Sequence, residues 1–193
     1  MTAQRHVRRH GRWLAGLLGF GHFLNCRSGA NAVEFALVAP VMLILGMGTI
    51  ELSAYLRADR AVSDLAGATT VAIGDLEVVT QKDIADLAKS IRAASGYLDT
   101  RRLQVFAESV TMSGGRPVRD WQAWVLRGNG VPSVPTEVHD KLATAALDNG
   151  ESAMIVDVSY AYHDIVGGGF LADTIISRTF LAYPKNDEPV ELE

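Results

Sequence analysis

The chain has 193 residues, 48% of them apolar and 21% charged, enough for one ordinary hydrophobic core with little left for a second domain. Its formal net charge is −4, Cys26 is its one cysteine, and its five histidines show no metal-ligand spacing. These features disfavour a disulfide framework, a cysteine nucleophile, a zinc–thiolate or iron–sulfur site, and nucleic acid as a partner, and they give no sign of a cofactor or a small-molecule substrate.

The charge is unevenly placed. Residues 1–29 carry Arg5, Arg8, Arg9, Arg12 and Arg27 with no acid, whereas residues 30–193 carry 22 acidic and 13 basic residues. Short arginine-rich flanks stay in the cytoplasm, so the N-terminus is expected inside and the bulk of the chain outside, in the periplasm of a bacterial cell. Other export signals fit less well. The apolar stretch from Trp13 to Phe20 is rich in glycine and has no small-x-small cleavage site directly after it. Asn25 stands where a lipoprotein wants a small residue before Cys26, and Arg8-Arg9 is followed by His10-Gly11-Arg12 instead of an apolar pair. Residues 1–29 therefore read as a basic, partly amphipathic leader on the inner membrane face, and Cys26 falls within it.

Phe35 to Ile50 is a run of sixteen residues without a charge. As a helix it covers roughly 24 Å, short of a hydrocarbon core of about 30 Å. Starting at Ala30 gives about 31 Å, which fits the bilayer only with Glu34 about 6 Å inside it. A charged side chain at mid-bilayer costs about 2.5 kcal/mol or more, so such an acid calls for a partner. Pro40 removes a backbone hydrogen bond a turn and a half after Glu34 and is expected to kink the helix or to be tolerated there. Ala32, Ala36 and Ala39 put small side chains on one side, either for close helix approach or as ordinary alanine-rich helix.

Gly29, Glu34 five positions later and the aromatic Phe35 after it resemble the prepilin peptidase sites of type IV pilins and pseudopilins. The continuation Ala32-Val33-Glu34-Phe35-Ala36-Leu37-Val38-Ala39-Pro40 and then Gly48-Thr49-Ile50-Glu51-Leu52 is similar to the TadE-like family of Tad (Flp) pilus assembly proteins. The resemblance is specific over about residues 27–74 and only general beyond. It implies cleavage between Gly29 and Ala30 by a prepilin peptidase, and other Tad pilus pilins and pseudopilins as partners within the lipid of the inner membrane. It also implies that the new amine of Ala30, or a neighbouring subunit's, neutralises Glu34 during assembly. A Glu34 resting in the headgroup zone beside water or Arg27 is the plainer alternative.

The helix is expected to continue in water to about Ile73, with Ala61, Leu65, Ala68 and Ala72 on one apolar face. Gly74-Asp75 ends it, and Thr80 with Asp83 caps a second helix bearing Ile84, Leu87, Ala88 and Ile91, closed at Gly96. Leu103–Met112 and Val118–Leu126 read as a hairpin around Ser113-Gly114-Gly115-Arg116, with Trp121, Ala123 and Val125 on one face and Trp124 on the other. A loop over residues 128–135 and a short helix near Lys141–Leu147 follow. Strands are expected at Ser152–Tyr162 and about Thr174–Tyr183, separated by the flexible turn Gly167-Gly168-Gly169, which lacks the Lys-Ser/Thr of a phosphate loop. Asp157 is expected to face water, His139-Asp140 and His163-Asp164 to be solvated loops, and Pro189–Glu193 to be loose.

The expected architecture is α+β and pseudopilin-like: a leader at 1–29, a transmembrane helix at 30–56, and a periplasmic domain at 57–193 with a second helix and a small antiparallel sheet. Two function classes follow. One is a cleaved minor pseudopilin or structural component of an adhesive Tad-type pilus. The other is an uncleaved, singly anchored periplasmic scaffold or binding module. No catalytic constellation is visible.

Overall fold

The computed structural model describes residues 27–132, 136–167, 169, 171, 174–185 and 189–192. Helix α1 (Arg27–Gly74) is 48 residues long and contains Pro40 without ending there. It contributes to two compact units, Met1–Thr49 and Ile50–Glu193.

In the first unit α1 carries apolar side chains all round and covers none of them. Val33, Phe35, Leu37, Val38 and Val41 through Leu45 all stand more than half exposed. A helix that is apolar on every side and uncovered by the described residues has lipid or another chain as its natural surroundings.

In the second unit α1 is amphipathic, but its buried face differs from the expected one. Ala54, Ala58, Val62, Leu65, Ala66, Thr69, Thr70 and Ile73 are buried, whereas Ala68 and Ala72 are exposed and Ala61 is half-buried. The larger side chains Val62, Leu65 and Ile73 set the orientation, because burying each contributes about 1.5–3 kcal/mol and an alanine methyl far less.

After the two-residue strand β1 (Val78–Val79), helix α2 (Gln81–Ala94) begins in a reciprocal cap. The Asp83 amide donates to Thr80 Oγ1 at 3.2 Å, and the Thr80 amide donates to Asp83 Oδ2 at 2.9 Å. Ala88 and Ile91 form its buried stripe, and Gly96 turns the chain away with φ +60°.

Strands β2 (Leu103–Ser113) and β3 (Arg116–Leu126) are joined by Gly114-Gly115, whose φ values of +62° and +76° suit a two-residue hairpin turn that side chains strain. With β4 (Ser152–Ala161) and β5 (Ile175–Ala182) they make an antiparallel sheet of order β3-β2-β4-β5. Helix α3 (Thr136–Ala146) precedes β4 and starts five residues before the expected Lys141.

Strand alternation gives the sheet two working faces. Leu103, Val105 and Ala107 of β2, Met154, Val156 and Val158 of β4 and Ile176 of β5 cluster with the buried stripes of α1 and α2. On the reverse face Val110, Met112, Ala153 and Ile155 pack with Ala143 and Leu147 of the α3 segment. Trp121 lies against the first cluster, and Trp124 on the other side packs on Phe106 with ring centroids 4.8 Å apart, as the alternation requires.

The C-terminal segment is not loose. Strand β6 (Glu191–Leu192) pairs in parallel with β1, Val190 is buried, and the Trp121 indole donates to the Val190 carbonyl. An acidic, proline-led tail looks unfoldable by composition, but Val190 and Leu192 supply the side chains that the core takes up.

Candidate functional site

Gly29 and Ala30 are helical, among the first described residues of α1. Glu34 follows Ala30 by four residues, roughly 6 Å along the axis, and is exposed, as is Phe35 at 73%. Among the described residues no group pairs with the Glu34 carboxylate. Pro40 lies within the same exposed stretch. Leader residues 1–26, Cys26 included, lie outside the described residues. The geometry thus sets a lone acid on an apolar helix surface one turn from the bond at which an amine would be released.

The second unit opens with another acid, and sequence reasoning missed its role. Glu51 is 1% exposed although it sits between Ile50 and Leu52. Its Oε1 accepts the Tyr162 hydroxyl at 2.7 Å. Oε2 accepts the backbone amides of Ile165 and Val166 at 3.0 and 3.1 Å. Three donors satisfy the carboxylate without a cation, which is how a buried acid stays affordable. Burial, then the Glu51 hydrogen bond and charge, push the Tyr162 phenol well above its ordinary range. Tyr55 braces the Tyr162 ring edge-on, with centroids 5.4 Å apart. The rule that singled out Glu34, an acid amid apolar neighbours, applies equally to Glu51.

The loop carrying those two amides is ordered by its own acid. Asp164 Oδ2 accepts the Gly169 amide at 2.8 Å, so Asp164 holds a turn, while His163 is exposed as expected. Gly168 lies outside the described residues.

Two further acids differ from expectation. Asp157 is 2% exposed and accepts hydroxyls from Ser159 at 2.7 Å, Thr179 at 2.8 Å and Ser177 at 3.2 Å. It shares the reverse sheet face with Ser159, and pairing with β5 brings Ser177 and Thr179 beside it. His139-Asp140 is a helical segment with His139 buried. The Nδ1 of His139 lies 2.7 Å from Glu108 Oε1, while Arg119 bridges Glu108 Oε2 at 3.2 Å and Asp140 Oδ1 at 2.5 Å. Glu108 and His139 are 31 residues apart in sequence, so no local pattern announces their contact. Among the described residues the far ring nitrogen of His139, Nε2, is buried without a hydrogen-bond partner. Among the described residues no group of three or more His, Cys, Asp or Glu side chains is placed to hold a metal ion.

Comparison with known proteins bears on the N-terminal part. Residues 29–70 match the family described as TadE-like protein, a segment that begins at Gly29, contains Glu34, Phe35, Pro40 and Glu51, and ends within α1. No curated protein and no solved structure matches the chain. Among the described residues one helix, Gly29–Gly74, is long and apolar enough to cross a membrane.

Proposed function

We propose that the chain is a TadE-like minor pseudopilin, a structural assembly component of a Tad-type (Flp) adhesive pilus. In this reading the helix at 30–56 carries a single crossing of the inner membrane, with 1–29 cytoplasmic and 57–193 periplasmic. A prepilin peptidase removes the leader after Gly29. The amine so created on Ala30, or on a neighbouring pilin, then pairs with Glu34.

The observation that carries the reading is the unpaired Glu34 on an exposed apolar helix inside the TadE-like segment. An unpaired carboxylate and an unpaired ammonium are each costly in hydrocarbon, and joining them removes much of both penalties. That gain is largest where two helices dock, so it selects a neighbour and a register. Exposed Val33, Phe35 and Leu37 around the acid offer the apolar surface for such a contact.

The test is the N-terminus of the full chain extracted from membranes, read by intact mass and N-terminal sequencing. The reading expects Ala30 as the first residue. A chain still beginning at Met1 or Thr2 would instead make it an uncleaved, membrane-anchored periplasmic scaffold.

A further inference from the structure

The exposed apolar side chains at the start of the second unit form a pattern that neither the pilin reading nor the fold requires. Ile50 is 58% exposed and Leu52 is 53% exposed, on either side of the buried Glu51. At about 100° per residue they point to opposite flanks of the helix. Leu56, one turn after Leu52, is also exposed. At the level of Glu51 the loop adds Ile165, whose amide is bound to that carboxylate and whose side chain is 70% exposed. Tyr97, 63% exposed, walls a cavity of about 460 Å³ together with Ala54, Arg57, Ala58, His163 and Ile165. No ion pair holds Arg57 among the described residues.

A protein neighbour would cover one side of this region. Apolar side chains on several sides at one level suit a medium that surrounds the helix, and Glu51 directly follows the last residue of the uncharged run. Ala54 and Ala58 lie roughly 4–10 Å beyond Glu51 along the axis, and each polar layer of a bilayer is about 5–8 Å thick. Arg57, about 9 Å beyond Glu51, can reach back into the headgroup layer, and Tyr97 walls the same cavity, so an amphipathic ring and a cation meet where lipid headgroups favour both.

We propose that Ile50, Leu52, Leu56 and Ile165, with Tyr97 and Arg57 above them, form a collar that seats the domain in the lipid surface around its own helix. Ile50, Leu52 and Ile165 enter the acyl boundary, and Leu56, Tyr97 and Arg57 meet the headgroup layer above them. The Glu51 bonds to the 165–166 amides hold the loop in this seat, so the carboxylate serves as the clasp of a membrane-resting domain. The proposal rests on the reading that the helix from Ala30 to Ile50 spans the bilayer.

The experiment uses the full chain with Cys26→Ser, reconstituted in vesicles of phosphatidylethanolamine and phosphatidylglycerol. A single cysteine is placed by Ile165→Cys, Leu43→Cys or Val118→Cys and labelled with an environment-sensitive fluorophore. Val118 is an exposed control that pairs with Thr111, at the opposite end of β2 from the Leu103–Tyr160 pair. Lipids spin-labelled near the headgroup should quench the label at position 165 several-fold more than the label at 118. Quenching at 165 no greater than at 118, with 43 quenched by lipids labelled deep in the acyl chain, overturns the collar and leaves the span standing. If 43 escapes as well, the spanning reading itself fails. A label at 165 shielded from both lipid quenchers and aqueous iodide means that protein covers the site, which also overturns the proposal.

Discussion

Removing the Tyr162 hydroxyl isolates the clasp around Glu51. In Tyr162→Phe the ring keeps its edge-on contact with Tyr55, and Glu51 Oε2 keeps both backbone amides, so the change strips the one donor of Oε1. A hydrogen bond to a charged acceptor contributes about 1.5–3 kcal/mol, and this one is buried. For a unit of this size, about 2–4 °C of Tm accompanies each kcal/mol, so the expected loss is roughly 3–12 °C. The assay is thermal unfolding of the detergent-solubilised full chain by near-ultraviolet circular dichroism. A double-mutant cycle with Glu51→Gln completes it. The hydroxyl should be worth markedly less in the Glu51→Gln background, because the charged acceptor is gone. An equal loss in both backgrounds, or a Tm shift within error, would refute the claim that Tyr162 and Glu51 stabilise one another.

The same pair predicts a pH dependence. The Tyr162 pKa is raised from its ordinary 10.0, so its stabilisation is complete below about pH 10 and is lost as the pH rises toward the folded-state value. Denaturant titrations should therefore show the gap between wild type and Tyr162→Phe narrowing above pH 10, and a constant gap would contradict the linkage. Glu108→Ala leaves the buried His139 and the half-buried Arg119 without their shared acceptor, and breaking one partner of a buried pair costs about 3–5 kcal/mol. Urea unfolding should show that loss, and one below about 1 kcal/mol would mean the α3 contact is held by apolar packing alone. In Gly128→Ala the new methyl would lie 2.8 Å from the Leu103 carbonyl oxygen and 2.9 Å from the Arg102 carbonyl carbon, both backbone atoms. Overpacking of that kind costs about 1–3 kcal/mol, and an unchanged urea midpoint would show that the 126–130 loop moves freely away from β2.

The regular elements were legible because their signals are local. The Thr80–Asp83 cap, the Gly114-Gly115 turn and the period-two apolar pattern of β2 and β4 each lie within a few residues of what they specify. The α+β arrangement and the opposite placement of Trp121 and Trp124 followed from them. What escaped depends on pairs that only the fold creates. Asp157 reads as solvent-facing until β5 brings Ser177 and Thr179 beside it, and His139 reads as a loop residue until β2 presents Glu108. Alanine carries too little transfer energy to mark a face, so the expected α1 stripe was right at Leu65 but missed at Ala61, Ala68 and Ala72. Glu51 had a signal in the sequence, its apolar neighbours, but its donors stand 111 to 115 residues away.

The central claim is that Glu34 acts as a docking charge within the apolar helix. Its most direct test is Glu34→Ala, with Glu34→Asp beside it, in cells that make the pilus. Processing of the N-terminus, co-purification with other pilus components and surface piliation are measured together. The account predicts that Glu34→Ala is still processed to Ala30 yet loses co-purification and piliation, with Glu34→Asp retaining part of both. Unchanged co-purification and unchanged piliation in Glu34→Ala would contradict it.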